Sequence, residues 1–154
     1  MAEMKATDDA AATERVRRVV TRYATAWAAG DLPTIRDCYH DQFTLYYGGN
    51  NPLSGVHKGK AACLAVLEEF RKRTRRKLLS VDHIMAGPER GAVLAREQFS
   101  HDNKTTDVQR LLVYSILDDR LHECWVYDQD QALIDRLLSR GQRDDRTAAC
   151  EKDR

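Results

Sequence analysis

Apolar positions recur along this chain with two different periods, and the change between them divides it into a helical first half and an extended second half. From about Thr13 to Ala29 the residues Val16, Val19, Val20, Tyr23 and Trp27 fall at three- and four-residue intervals, which predicts an amphipathic helix with an aromatic end. Gly30 stops it. Asp31 is placed to N-cap a second helix with Pro33 in its first turn, running to about Tyr39. Phe43, Leu45 and Tyr47 then alternate with Thr44 and Tyr46, a strand pattern that Gly48-Gly49-Asn50-Asn51-Pro52 breaks. Gly59 opens a third helix, with Cys63, Val66, Leu67 and Phe70 on one face.

Beyond that helix the period is two. Lys77 to Ala86 alternates, with Leu79, Val81, His83 and Met85 on one face, and Gly87-Pro88-Glu89-Arg90-Gly91 turns the chain. Ala92 to His101 places Val93, Ala95, Glu97 and Phe99 on one face, and Asp102-Asn103-Lys104 turns it back into Thr106 to Leu117. A tight polar turn at Asp118-Asp119-Arg120 leads to Leu121–Tyr127, a hairpin signature. Leu133, Ile134, Leu137 and Leu138 form a last short helix that Gly141 ends. Residues 1–12 and 141–154 carry no apolar face and are expected to be disordered, leaving one domain over 13–140. Helices followed by antiparallel hairpins imply an α+β fold.

Composition narrows the function by exclusion. The 25 Lys and Arg against 24 Asp and Glu give a formal charge of +1, so no global field directs the chain to nucleic acid or a membrane. There is no leader-like apolar stretch and no run near the ~18 residues a spanning helix needs, which points to a cytoplasmic protein. Cys38, Cys63, Cys124 and Cys150 are widely spaced, without CxxC pairs or neighbouring His at zinc intervals, so they read as free thiols and no metal is expected. GxGxxG, P-loop, GxSxG and HExxH patterns are absent, and no cofactor is implied. The basic run Arg71-Lys72-Arg73-Thr74-Arg75-Arg76-Lys77 lacks interleaved aromatics and reads as a solvated helix end.

The order of elements resembles the nuclear transport factor 2 superfamily. So do the helix through Tyr23 to Ala29, Gly30-Asp31, the strand through Phe43-Thr44-Leu45, the His57-Lys58-Gly59 helix start and the Asp119-Arg120-Leu121-His122-Glu123-Cys124-Trp125 hairpin. Within that superfamily the chain is most similar to SnoaL-like polyketide cyclases and ketosteroid isomerases. The resemblance implies a cone of N-terminal helices packed on a strongly curved antiparallel sheet enclosing an apolar pocket, commonly in a homodimer. It also implies cofactor-independent acid/base chemistry, an isomerisation, cyclisation or dehydration of a polyketide-like or steroid-like carbonyl compound. Tyr23 matches the isomerases' oxyanion Tyr, but their Asp base falls on Tyr47 and their second acid on Arg110. The cyclases' Asp falls on Val126. The related dehydratases' Tyr and His fall on Tyr23 and His83.

On that register Tyr23, Trp27, Tyr47, Tyr114, Cys124, Val126 and Asp128 line the pocket, and His83, Glu97, Tyr23 and Arg110 are the catalytic candidates. His83 or Glu97 would move a proton while Tyr23 and Arg110 hold developing negative charge. Each has a plainer reading. Glu97 and Arg110 make an ion pair that fixes the sheet, His83 is a core or edge histidine, Tyr23 and Trp27 are core aromatics, and Asp128 N-caps the last helix with Gln131 as capping-box partner. A non-catalytic ligand-binding or dimerisation module, and an epoxide hydrolase using Glu97 with Tyr23, are the alternatives. In every case the partner is a small hydrophobic molecule or a second copy.

Overall fold

A computed structural model describes residues 2–140. The elements are α1 (Ala2–Ala29), α2 (Leu32–Cys38), β1 (Tyr39–Tyr47), β2 (Gly55–Lys58), α3 (Lys60–Thr74), β3 (Lys77–Ala86), β4 (Arg90–His101), β5 (Lys104–Leu117) and β6 (Arg120–Asp128), followed by a helical segment over residues 131–140. The six strands make one sheet in the order β2-β1-β6-β5-β4-β3. The N-terminal helices pack on this curved, unclosed sheet, so the fold is α+β and cone-shaped, as expected. One pairing differs: β1 runs parallel to β6, and the sheet is mixed. Local alternation cannot reveal which distant strand becomes a neighbour, nor did it show the four-residue β2, which pairs antiparallel with β1.

The turns follow their chemistry. Asp102 and Asn103 (φ 48° and 61°) join β4 to β5, and Asp118 and Asp119 (φ 52° and 56°) join β5 to β6. Two consecutive positive-φ residues match the right-handed twist of the flanking strands. Asp31 caps α2 as anticipated, its carboxylate accepting from the Thr34 N–H at 3.3 Å. Asp128 does not cap the last helix. That role belongs to Asp130, which accepts from Leu133 N–H at 3.0 Å, because Asp128 is engaged elsewhere.

Helix α1 starts at Ala2, so residues 2–12, expected to lack structure, are helical, with 3–11 exposed. Apolar periodicity reports burial, and this stretch buries little; its Ala, Glu, Lys and Met residues nonetheless extend a helix already nucleated by the packed turns after Val16. The expected tail at 141–154 lies outside the described residues. No described helix is long and apolar enough to cross a membrane.

The concave face carries the core. Val93, Ala95, Glu97 and Phe99 of β4 all point inward, as the alternation requires, and Val108, Arg110, Leu112 and Tyr114 of β5 do the same. On β3 the expected face is wrong except at Val81. Bulges between Leu78 and Ser80 and between Val81 and His83 each insert an extra residue opposite β4. The inward set becomes Leu78, Val81, Ile84 and Ala86, while Leu79 and Met85 are 39% and 45% exposed. Bulges bend a strand as well as rephasing it, and here they help curl the sheet. Leu133, Ile134, Leu137 and Leu138 of the last segment are buried in the same core. That segment is tied to the loop after β1 through Asp135, which accepts from Asn50 N–H (3.0 Å) and Asn51 Nδ2 (2.8 Å).

Helix α1 packs against the sheet at Gly91, where an added Cβ would stand 2.6 Å from Val20 Cγ2 and 2.9 Å from Val16 Cγ1. Both neighbours are β-branched and rotationally stiff, so the helix itself would have to move. Gly91→Ala is therefore expected to cost about 1–3 kcal/mol in urea unfolding. An unchanged midpoint would show that α1 is not seated against β4 at this point.

Candidate functional site

Between the helices and the concave face lies a cavity of about 600 Å³. Helix α1 contributes Tyr23 and Trp27, because the helical spacing that buries Val16, Val19 and Val20 carries these rings onto the same side one turn later. Strand β1 gives Tyr39, Phe43 and Leu45; β5 gives Arg110, Leu112 and Tyr114; β6 gives Cys124 and Val126. The mouth is formed by exposed Leu32 and Arg36 of α2 and by Glu68 and Arg71 of α3, the last two joined at 2.6 Å.

The floor holds a tyrosine cluster. Tyr23 sits edge-on to Tyr114 and Tyr39, with ring centroids 5.4 and 5.7 Å apart, and is stacked beside Trp27 at 5.8 Å. Burial pushes the Tyr23 phenol up, and the neighbouring Tyr114 and Tyr39 hydroxyls draw it partly back. Burial and the coulombic influence of Tyr23 push Tyr39 and Tyr114 well above the ordinary phenol range. Burial thus favours the neutral, hydrogen-bond-donating form of all three phenols, with the Tyr23 ring between the other two.

Behind this floor Arg110 anchors a buried ionic cluster. Its Nη1 donates to Glu97 Oε2 at 2.9 Å, its Nη2 donates to the Tyr47 hydroxyl at 3.2 Å and to Asp128 Oδ2 at 3.4 Å, and its Nε donates to Asp128 Oδ1. The Phe70 ring covers the guanidinium at 4.4 Å. Glu97, Arg110 and Asp128 side chains are 0%, 3% and 1% exposed. Burial pulls the Arg110 pKa down, but Tyr47, Glu97 and Asp128 outweigh it and carry the net shift well upward. Burial likewise raises Tyr47. Glu97 Oε1 is the one buried side-chain oxygen among the described residues without a hydrogen bond. Arg76 Nε stands 3.4 Å from it, off the line a hydrogen bond requires.

The sequence-derived candidates therefore separate. Tyr23, Trp27, Tyr114, Cys124, Val126 and Arg110 line the cavity together. Tyr47, Asp128 and Glu97 lie behind Arg110, bonded to it, and do not line the cavity. His83 is exposed and absent from the site, turned outward by the second β3 bulge. Arg76 was missed: it follows Arg75, whose left-handed cap (φ 51°) ends α3, and lines the cavity, whereas of the other basic residues in the run only Arg71 does, at the mouth. The signal for it was weak, a lone Arg two residues before the first inward Leu78.

A family model described as a SnoaL-like domain matches residues 20–124. The chain belongs to the SnoaL-like family. Its solved neighbours share the cone at low identity and establish the fold alone. Bal32a from a soil-derived mobile gene cassette has a TM-score of 0.73 and 20% identity, covering 82% of this chain and 98% of its own. A putative SnoaL-like polyketide cyclase from Jannaschia sp. CCS1 has a TM-score of 0.66 and 16% identity, over 82% and 93% of the two chains. TerC, co-crystallised with polyporic acid, has a TM-score of 0.66 and 11% identity, over 77% and 95%. Other neighbours are NTF2-like proteins of unknown function from Burkholderia pseudomallei and Mesorhizobium loti. No curated protein matches.

Two expectations follow for this SnoaL-like site. Replacing Arg110 by Met leaves two buried carboxylates without their cation and should cost about 3–5 kcal/mol in urea unfolding, most of it recovered in R110M/E97Q/D128N. A triple variant no more stable than R110M would contradict the ionic account. Cys124, whose thiol burial pushes up to about 12, should also resist alkylation at pH 8, where only about one molecule in ten thousand carries the thiolate. Peptide mapping after iodoacetamide treatment of the native protein checks this, and prompt labelling of Cys124 would contradict it.

Proposed function

We propose that the cavity binds a small, predominantly apolar carbonyl compound and receives its oxygen between the Tyr23 hydroxyl and the Arg76 guanidinium. The observation that carries this reading is the sorting of polar groups around the cavity. Donors occupy its floor, whereas among the described residues no imidazole lines it and its single lining carboxylate, Glu68, is tied to Arg71 at the mouth. Such a lining suits binding and the stabilisation of negative charge on oxygen, in a volume typical of small-molecule sites. The co-crystallisation of TerC with polyporic acid is in keeping with it. Non-catalytic binding is the function this geometry supports best.

A second reading, cofactor-independent isomerisation, cyclisation or dehydration, is favoured by one observation: Glu97 Oε1 is a buried carboxylate oxygen without a hydrogen bond. Glu97 would be the base and Tyr23 the oxyanion donor. Its obstacle is that Arg110 stands between that carboxylate and the cavity. His83 has no part in either reading.

We also propose a homodimer through the outer face of the sheet. There Tyr46 and Trp125 stack at 5.2 Å with planes 1° apart, Arg90 covers Trp125 at 4.2 Å, and Val56 and Tyr127 are each 56% exposed. Three buried free thiols suit a reducing compartment such as the cytoplasm.

Titration with planar polycyclic phenols and ketones, read by Trp fluorescence, tests the function. Micromolar binding is expected, weakened about 3–10-fold by Tyr23→Phe through loss of one hydrogen bond. No binding across the panel would refute the cavity as a ligand site. Turnover that Glu97→Gln abolishes while binding persists would replace the binding reading with the catalytic one.

A further inference from the structure

The charges around the cavity do not cancel, and the one left over is placed where a ligand can meet it. Among the described residues four arginines line it, Arg36, Arg71, Arg76 and Arg110. Three carboxylates among the described residues answer them: Glu68 on Arg71 at the mouth, and Asp128 and Glu97 on Arg110 behind the floor, the second oxygen of Glu97 also standing 3.4 Å from Arg76 Nε. One positive charge remains. Arg36 is on the exposed rim, where water screens it. Arg76 is not: its side chain is 18% exposed, with its guanidinium carbon 5.6 Å from the Trp27 ring centre and 5.9 Å from that of Phe70.

Arg76 is also underused. Its Nε stands off line from Glu97 Oε1, and no protein acceptor among the described residues takes a hydrogen bond from any of its side-chain nitrogens. A guanidinium presents its N–H groups in a planar fork that matches a carboxylate, and flat apolar surface beside it completes a site for an aromatic acid. Arg110, by contrast, has Nε and both Nη atoms committed to Asp128, Glu97 and Tyr47.

We propose that the ligand of this cavity is a monoanion, a flat and largely apolar carboxylic acid, whose carboxylate docks on the unused nitrogens of Arg76 while its body lies along Trp27 and the apolar wall. This rests on the reading of the cavity as a small-molecule site. It makes Arg76 the residue that selects acids over neutral molecules of the same shape. Each oxygen of the carboxylate would accept from Arg76, and the Tyr23 hydroxyl lies on the same floor as a further donor.

The matched pair 2-naphthoic acid and 2-naphthamide separates the two layers of the proposal, because the two differ in charge and hardly in shape. Calorimetric titration at pH 7.5 of the wild type, Arg76→Met and Arg76→Lys is the experiment. The wild type should bind the acid at least tenfold more tightly than the amide. Arg76→Met should bring the two within about twofold, because the acid loses at least fivefold more affinity than the amide, and the amide binding that remains shows that the pocket is still folded. Arg76→Lys, with the charge but without the fork, should keep part of the preference. Equal binding of acid and amide by the wild type, or a preference that survives in Arg76→Met, overturns the assignment while the small-molecule reading stands. If neither compound binds the wild type, both fall.

Discussion

The Arg110 guanidinium is the centre on which the rest of this molecule depends. It lies on β5 and is bonded to Glu97 on β4, Asp128 on β6 and Tyr47 on β1, which are the adjacent strands β1-β6-β5-β4 of the sheet. One side chain thus crosses three strand interfaces at the depth of the core, with Phe70 of α3 laid over it. Charges so deep are tolerated only with partners and geometry that replace water. A slip of any of these strands by one residue would send one partner to the opposite face and leave a buried charge behind. The cluster therefore favours one register of the curved sheet, including the parallel contact of β1 with β6.

The same saturation decides what the cavity can do. An arginine whose donors are already engaged lends the cavity its field but little hydrogen bonding, and the carboxylates that satisfy it are shielded from anything in the cavity. The chemistry available to a ligand is shifted to groups that the structural cluster leaves over. These are the tyrosines, whose hydroxyls meet on the floor, and Arg76, held against Trp27 and Phe70 with poor partners of its own. Excess donors with a cationic lean form a site for negatively charged or polarised oxygen.

Much of this was legible in the chain, for reasons that can be assigned residue by residue. The inward face of β4, with Glu97 among Val93, Ala95 and Phe99, follows from strict alternation, and so does Arg110 opposite it on β5. The helical stripe ending in Tyr23 and Trp27 placed both rings in the cavity. His83 was misplaced because two bulges in β3 break the period on which its assignment rested, and nothing in Leu79-Ser80-Val81-Asp82-His83 announces them. Asp128 was placed on the pocket wall, or as a cap with Gln131 three residues on, because no local pattern pairs it with Arg110 on the neighbouring strand. Arg76 was hidden in a basic run whose other cations lie at the surface, at the rim or, for Arg73, against Glu69, and only the left-handed turn at Arg75 sets it apart. Local patterns report local preferences; bulges, parallel neighbours and long-range ion pairs are decided by the packed whole.

Arginine side-chain NMR resolves the division of labour between the two buried arginines most directly. With ¹⁵N-labelled protein, the Nε–H signals of Arg76 and Arg110 would be assigned by their absence in Arg76→Lys and Arg110→Lys and followed as 2-naphthoate is added. The account predicts that the Arg76 signal moves and sharpens in proportion to occupancy while the Arg110 signal, fixed by Asp128, stays in place. Movement of Arg110 with Arg76 unaffected would show that the ionic cluster opens to the ligand, and would contradict the claim that it is committed to the fold.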